Sequence, residues 1–206
     1  MSSDLLPIVL TAIKGNWQAF SSRQSNASFR ELALAVYKRD AYTCRYCGFE
    51  SQQFQSVVNI DQNYKNNALS NLATACSLCA PCFFLDSVGA DGQYGGTLIY
   101  LPEISQADLN HFCRALFCSM LRESPYKGKL QAVYLSLSDR SQPLETIFGP
   151  GTQHPMHFGQ ALIDADLDQT QSQHPLLFDL KLLPIRKYFN NEATYWKSTV
   201  FANIPL

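Results

Sequence analysis

The stretches RDAYTCRYCG, residues 39–48, and CSLC, residues 76–79, decide the fold of this chain. Each contains a Cys-x-x-Cys pair, a spacing that lets a tight turn direct two sulfur atoms at one ion. Four thiolates can enclose Zn²⁺ tetrahedrally and leave no position open for water, which makes such a site structural rather than catalytic. The two pairs therefore predict one structural zinc ion, bound by Cys44, Cys47, Cys76 and Cys79.

The other cysteines leave alternatives open. Cys82 forms a third, overlapping pair with Cys79, so a ligand set that includes Cys82 is one alternative. Four buried thiols without a metal, and a redox switch with reversible disulfides, are two more. Cys113 and Cys118 fall in an apolar helical stripe and are expected in the core. An odd total of 7 cysteines with tight pairs favours thiolate ligands in a reducing compartment over a disulfide framework.

Composition narrows the classes of function. The 206 residues are 46% hydrophobic and only 16% charged, which excludes a fibrous or disordered chain and predicts a globular core. The 16 basic and 17 acidic residues give a net charge of -1, so there is no broad positive field and nucleic acid is not an expected partner. The first residues lack the basic region of a secretory signal, and no apolar run approaches the roughly 18 residues of a membrane span. We therefore expect a cytoplasmic protein without direct membrane insertion.

Helical and strand patterns surround the cysteine pairs. We predict a helix near residues 8–20, broken near Gly15, and an amphipathic helix over residues 29–39 that is capped by Ser28. Short strands are expected near Thr43 and over residues 55–60, followed by a loop at 61–67. A further helix is predicted from just after Cys76 to Asp86, where its N-terminal dipole would favour thiolates.

The remainder of the chain has mainly helical patterns. A strand is predicted at 97–101, then a helix opened by a capping box of Ser105 and Asp108, and further helices at 128–137 and 155–164. We predict an α+β, mainly helical protein in three parts. These are an N-terminal helix and linker (residues 1–27), a zinc module (28–90) and a mainly helical body packed on the module (91–206).

The order of these features resembles the HNH endonuclease family over about residues 29–86. The resemblance implies a treble-clef ββα unit held by zinc, in which a strand carries Asp-His and the helix carries a second His. In this chain Val58, Asn59 and Ala80 occupy those positions, and Asn71 alone matches the family's central Asn. Asparagine cannot take a proton from water near neutral pH, and no histidine precedes His111. We therefore expect a nuclease-like scaffold without the catalytic residues, and not an enzyme.

The degenerate zinc module, the helical remainder and the overall length together resemble the IcmJ (DotN) family of the Dot/Icm type IVB secretion system. The resemblance implies a cytoplasmic subunit of the coupling complex, held at the inner membrane through its partners. It implies binding to the C-terminal extension of the coupling ATPase DotL, beside DotM and the IcmS–IcmW adaptors, for the recruitment of exported effector proteins.

Three further hypotheses concern an alternative function, a partner surface and a second metal pair. A metal-dependent HNH-type nuclease with relocated ligands, such as Asp61 and His111, is the alternative function. Its phosphate contacts would be Arg30, Lys38, Arg39, Arg45 and Lys65; otherwise these residues form a solvated face, with Arg45 near the negative charge of the zinc site. The aromatic tail from Tyr188 to Phe201 is the candidate surface for a partner, and His154 with His157 is a possible second metal pair.

Overall fold

The computed structural model describes residues 5–89, 94–165 and 175–204, and these residues form a mixture of helices and small sheets. The α-helices are α1 (Asn16–Arg23), α2 (Ala27–Arg39), α3 (Gln106–Met120), α4 (Lys127–Ser138), α5 (Gln142–Phe148), α6 (Pro155–Asp164), α7 (Pro175–Asp179) and α8 (Asn190–Ser198). The strands are β1 (Gln55–Asn59), β2 (Leu72–Cys76), β3 (Gly96–Tyr100) and β4 (Leu180–Pro184). The α+β prediction is confirmed at this level.

The N-terminal segment is only partly helical. Helix α1 begins after Gly15, whose φ of 83° favours glycine, but residues 5–13 have no regular structure, so the helix predicted over 8–13 is wrong. The backbone groups of residues 5–13 bond to other parts of the chain instead. Leu6 N–H donates to the Arg45 carbonyl at 2.8 Å, and Thr11 N–H donates to the Cys82 carbonyl at 2.9 Å. Tertiary hydrogen bonds therefore override the local helical pattern.

Helix α2 packs one face on a hairpin. Its cap is Asn26, whose side chain accepts a hydrogen bond from Phe29 N–H at 3.1 Å, and not the predicted Ser28, which lies inside the helix. Buried residues on one side of α2 contact Val57 of β1 and Leu72 of β2. Strands β1 and β2 are antiparallel, with Gln55 opposite Cys76, so the hairpin that supports α2 also carries Cys76 at its end. The strand predicted near Thr43 is present as a bridge to Glu50.

The helix predicted after Cys76 is wrong. Residues Ala80–Phe83 and Leu85–Ser87 form two short 3-10 turns. Pro81 removes one backbone donor, and the N-terminal segment occupies other groups, since Thr11 N–H donates to the Cys82 carbonyl and Leu85 N–H donates to the Thr11 carbonyl at 3.0 Å. A continuous helix would need these same groups for its own hydrogen bonds.

The second half combines the predicted helices with an additional sheet. Strands β3 and β4 pair antiparallel, with Gly96 opposite Pro184, and α3 packs against β4 and α8. Helix α3 starts with the predicted capping box of Ser105 and Asp108. One buried cluster contains the cysteine pairs together with Phe117, Phe189 and Trp196 from this half. The predicted division between module and body, at residues 90–91, reaches into residues that lie outside the described ranges.

Candidate metal centre

The four predicted ligands converge at one point. The sulfur atoms of Cys44, Cys47, Cys76 and Cys79 all lie within 4.8 Å of one another, and all four residues are buried. The Sγ atoms of Cys47 and Cys76 are 3.8 Å apart, which is about the edge of a tetrahedron with Zn–S bonds of about 2.3 Å. Within the ranges that the structure describes, no other group of three or more His, Cys, Asp or Glu side chains converges in this way.

The first pair is held by a tight turn. Gly48 N–H donates to the Cys44 carbonyl at 2.8 Å, and Cys44 N–H donates to the Phe49 carbonyl at 2.9 Å. Gly48 has a φ of 74°, a left-handed conformation that costs glycine little and other residues more. The turn therefore needs glycine directly after Cys47 to direct both sulfurs inward.

The second pair lies where β2 ends. Cys76 is the last residue of the strand, and Cys79 N–H donates to the Cys76 carbonyl at 2.9 Å. Cys82 is also buried, but it lies in a second apolar cluster with Leu85 and Leu98, and its Sγ is 3.7 Å from the Leu78 carbonyl. The geometry thus brings together Cys76 and Cys79, and leaves Cys82 outside the sulfur cluster.

The electrostatics of the cluster suit a divalent cation. Burial raises the pKa of the Cys44 and Cys79 thiols, while hydrogen bonds from Cys44 and the other two thiols lower the pKa of Cys47. Four converging sulfur atoms are the donor set that zinc binds as thiolates, and so the residues present fit zinc.

A buried arginine lies against the sulfur cluster. Arg114 of α3 is 0% exposed, and its Nη2 is 3.3 Å from the Sγ of Cys76 and 3.9 Å from the Sγ of Cys47. Desolvation lowers the pKa of Arg114, but the neighbouring thiols raise it by more, so the net pKa lies above its usual value. Arg45, which was expected near the charge of the site, places its Nη1 3.6 Å from Asp40. The basic side chain in contact with the sulfurs is therefore one that the sequence analysis missed.

A signal for Arg114 is present in the sequence. The residue lies one turn after Asn110, on the buried side of a helix with an apolar stripe. A basic residue on such a face needs a partner inside the protein.

Two neighbours of Arg114 on α3 also contact the cysteine loops. Asn110 is fully buried, and its Nδ2 donates to the Leu78 carbonyl at 3.2 Å and to the Sγ of Cys79 at 3.2 Å. His111 Nε2 lies 2.6 Å from the Cys47 carbonyl. His111, a relocated ligand in the alternative nuclease hypothesis, therefore contacts the first cysteine turn.

The residues that were expected at the HNH catalytic positions are buried or bond to neighbouring parts of the chain. Val58 and Ala80 are buried. Asn59 donates to the Asn63 and Asn66 carbonyls, and its Oδ1 accepts from Arg23 at 2.6 Å. Asn71 Nδ2 donates to an Asp61 carboxylate oxygen at 2.8 Å. These asparagines organise the loop of residues 61–67.

Asp61 and Arg39, two of the residues proposed for the alternative nuclease, bond to the chain around them. Asp61 accepts hydrogen bonds from Asn63 and Asn66 within its own loop and from Asn71 just after it. Arg39 donates to the Leu69 and Leu72 carbonyls and forms an ion pair with Asp40. Of the predicted phosphate contacts, the exposed ones are Arg30, Lys38, Arg39 and Lys65.

The aromatic tail is largely internal. Phe189 and Trp196 are 1% and 0% exposed, so the prediction that the tail from Tyr188 to Phe201 faces a partner is wrong for its two most buried rings. Trp196 packs edge-on against Phe49 beside the first cysteine turn, with ring centres 5.7 Å apart. The rings have become part of the core around the cysteines.

The structure also bears on the histidine pair and on the expectation of no membrane-spanning helix. The rings of His154 and His157 are 5.5 Å apart at the start of α6 and, within the described residues, belong to no cluster of three metal-ligating side chains. None of the described helices is both long and apolar enough to cross a bilayer.

The fold and the cysteine cluster define a mixed helix-and-sheet protein built around a candidate four-cysteine metal centre. No family model matches the chain. It is 42% identical over 195 residues to the type 4 apparatus protein DotN of Legionella pneumophila subsp. pneumophila, strain Philadelphia 1, covering 95% of this chain and 91% of DotN. The chain therefore belongs to the DotN family, and the predicted resemblance to the IcmJ (DotN) family is confirmed.

Proposed function

We propose that this chain is a non-catalytic structural subunit of a type IV secretion apparatus. The observation that carries the proposal is the 42% identity to a type 4 apparatus protein along nearly the whole of both chains. Identity at this level and coverage supports a shared role as well as a shared fold.

The subunit is stabilised by one zinc ion held by Cys44, Cys47, Cys76 and Cys79. The 3.8 Å separation of the Cys47 and Cys76 sulfurs and the burial of all four residues support this assignment. Zinc, when bound, supplies a crosslink between the first cysteine turn and the end of β2. Four protein ligands leave no position for an activated water, so the centre is structural.

The cysteine module derives from a treble-clef scaffold of the HNH type that has lost its chemistry. The tight turn at residues 44–48 followed by the β1–β2 hairpin supports this origin, although a 3-10 turn, Ala80–Phe83, stands where that unit has its helix. The side-chain amide of Asn59 accepts a hydrogen bond from Arg23 and donates to two backbone carbonyls. These bonds support a structural role for the residue that stands where the family has its general base.

The partner of this subunit is the C-terminal extension of the coupling ATPase DotL, in a complex that also contains DotM and the IcmS–IcmW adaptors. The complex recruits effector proteins at the cytoplasmic side of the inner membrane. Family membership supports this assignment, and the low charge of the chain, 16% charged residues, suits a surface that becomes buried in an assembly.

A binding experiment with purified components tests the proposal. The full chain is mixed with the C-terminal extension of the cognate DotL-type ATPase and analysed by size-exclusion chromatography with light scattering and by calorimetry. We expect a stoichiometric complex, with no complex for a scrambled peptide of the same composition. Separate elution of the two components at micromolar concentration contradicts the proposed partner.

The same preparation tests the absence of nuclease activity. Incubation with plasmid and Mg²⁺ or Mn²⁺ is expected to leave the plasmid intact, because neither Asn59 nor Ala80 can act as a general base. Cleavage that disappears on Asp61→Asn or His111→Gln would establish the alternative function and overturn the non-catalytic role.

A further inference from the structure

We propose that helix α3 supplies the outer shell of the metal centre, with Arg114 as its charge-compensating residue and Asn110 as a hydrogen-bond donor to sulfur. This inference rests on the zinc centre assigned above. It makes the retention of zinc depend on a helix of the second half of the chain, outside the cysteine module.

A zinc ion bound by four thiolates needs a positively charged side chain beside it. Zinc with four thiolates carries a net charge of about -2, and a buried charge is costly unless a counter-charge lies beside it. Arg114 is 0% exposed and places Nη2 3.3 Å from the Sγ of Cys76. Within the described residues Arg114 forms no ion pair with a carboxylate, so the sulfur cluster is the anionic group against which its charge is placed.

The orientation of the guanidinium is fixed by its neighbours. Its central carbon lies 3.6 Å from the ring centre of Phe49, which follows the first cysteine turn, and 5.3 Å from that of Trp196 in α8. Nη1 lies 3.2 Å from His111 Nδ1. The two rings hold the guanidinium plane in place and leave Nη2 directed at Cys76 and Cys47.

The periodicity of α3 places further polar groups on the same face. Gln106, Asn110 and Arg114 are spaced four residues apart and therefore share one face of the helix. Gln106 exchanges two hydrogen bonds with the backbone of Leu182 in β4, Asn110 donates to the Sγ of Cys79, and Arg114 contacts the Sγ of Cys76. One helical face thus connects β4 to both members of the second cysteine pair.

Hydrogen bonds and a positive charge beside thiolates stabilise the metal-bound form, because they favour the charged sulfur over the protonated one. Loss of a charge-assisted hydrogen bond corresponds to a change of about 10-fold to 100-fold in an equilibrium constant. We expect this loss to increase the rate at which zinc leaves the folded protein.

The test measures zinc release from the purified full chain to excess chromophoric chelator, with folding monitored by circular dichroism. Arg114→Gln is expected to release zinc at least about 10-fold faster than the wild type, and Arg114→Lys, which keeps the charge, is expected to restore most of the difference. If Arg114 acted only through packing, Arg114→Lys would release zinc as fast as Arg114→Gln. In Co²⁺-substituted protein the thiolate-to-metal absorption bands should shift in Arg114→Gln.

A pair of buried-amide substitutions separates the outer shell from general stability. Asn110→Asp and Asn59→Asp both replace a buried amide by a carboxyl group, but Asn110 donates to sulfur, whereas Asn59 bonds to Arg23 and two loop carbonyls. We expect rapid zinc release from Asn110→Asp and near wild-type release from Asn59→Asp.

Equal release from all variants and the wild type overturns the inference while leaving the zinc centre intact. Equal acceleration in Asn110→Asp and Asn59→Asp also overturns it, because the effect would then come from general destabilisation. Wild-type protein without zinc refutes the metal centre itself and the inference with it.

Discussion

Asp40 joins the end of α2 to the strand that carries Cys76. Its carboxylate is 1% exposed, accepts the Thr74 N–H at 2.9 Å and forms an ion pair with Arg39 at 2.9 Å. Burial by itself raises the pKa of the Asp40 carboxyl, but the hydrogen bonds from Arg39 and Thr74 outweigh burial, so that the net pKa lies below its usual value. The charged form of Asp40 is therefore part of the folded structure.

The stability of the protein should depend on pH through this carboxylate. A carboxyl whose pKa is lower in the folded state stabilises the protein above its unfolded pKa and loses that contribution as pH falls through the folded value. Asp40→Asn should reduce the free energy of unfolding by about 1–3 kcal/mol at neutral pH, measured by urea denaturation. The difference from the wild type should shrink below about pH 4. The exposed Asp139→Asn serves as the control, and a difference at Asp40 that stays constant down to about pH 3 contradicts the prediction.

Residue types in the sequence identified the four cysteines but not their surroundings. Cys-x-x-Cys spacing is a local pattern, and it was sufficient to name the four residues of the cluster. Arg114 lies far along the chain from Cys44, Cys47 and Cys76, and its Nη2 reaches Cys76 only because α3 packs beside the two cysteine turns. A basic residue in a helix is usually solvated, so residue type alone did not place this one beside sulfur.

At the level of elements, α6 packs unusually close to the 3-10 turn Leu85–Ser87. Gly159 permits this approach, because a Cβ built there would lie 2.4 Å from the backbone nitrogen of Asp86 and 2.8 Å from the carbonyl carbon of Leu85. Backbone atoms cannot move aside as the end of a flexible side chain can. The glycine therefore sets the distance between α6 and the turn that follows the cysteine module.

The second half of the chain offers a matched pair of glycine substitutions. Gly159→Ala should destabilise the protein by about 1–3 kcal/mol through overpacking. Gly128→Ala, in α4 with nothing within 4 Å of its added Cβ, should stabilise it by about 0.5–1 kcal/mol. Thermal denaturation of both variants measures the contrast. Similar changes in both would show that α6 does not depend on a close approach at Gly159.

The elements that the sequence predicted are those with local signals. The capping box at Ser105 and the apolar stripe after it defined α3, and Pro155 marked the start of α6. Strands β2 and β4 were missed because each is defined by pairing with a strand elsewhere in the chain. The helix predicted after Cys76 failed because hydrogen bonds with Thr11 took the place of its internal ones.

At the scale of the whole molecule, the cysteine cluster is part of the main core. The same apolar cluster contains the four cysteines, Phe117 of α3 and Trp196 of α8. A bound zinc ion would therefore stabilise contacts in both halves of the chain.

The assignment of one structural zinc ion to Cys44, Cys47, Cys76 and Cys79 is central to this picture of the molecule. The most direct test is the zinc content of the purified wild type, Cys79→Ser and Cys82→Ser, measured by mass spectrometry together with the melting temperature. Both cysteines are fully buried, so the pair is matched in environment and differs in membership of the sulfur cluster. We predict about one zinc per chain in the wild type and in Cys82→Ser, and loss of zinc with a large drop in melting temperature in Cys79→Ser. Wild-type protein without zinc, or loss of zinc in Cys82→Ser but not in Cys79→Ser, would contradict the assignment.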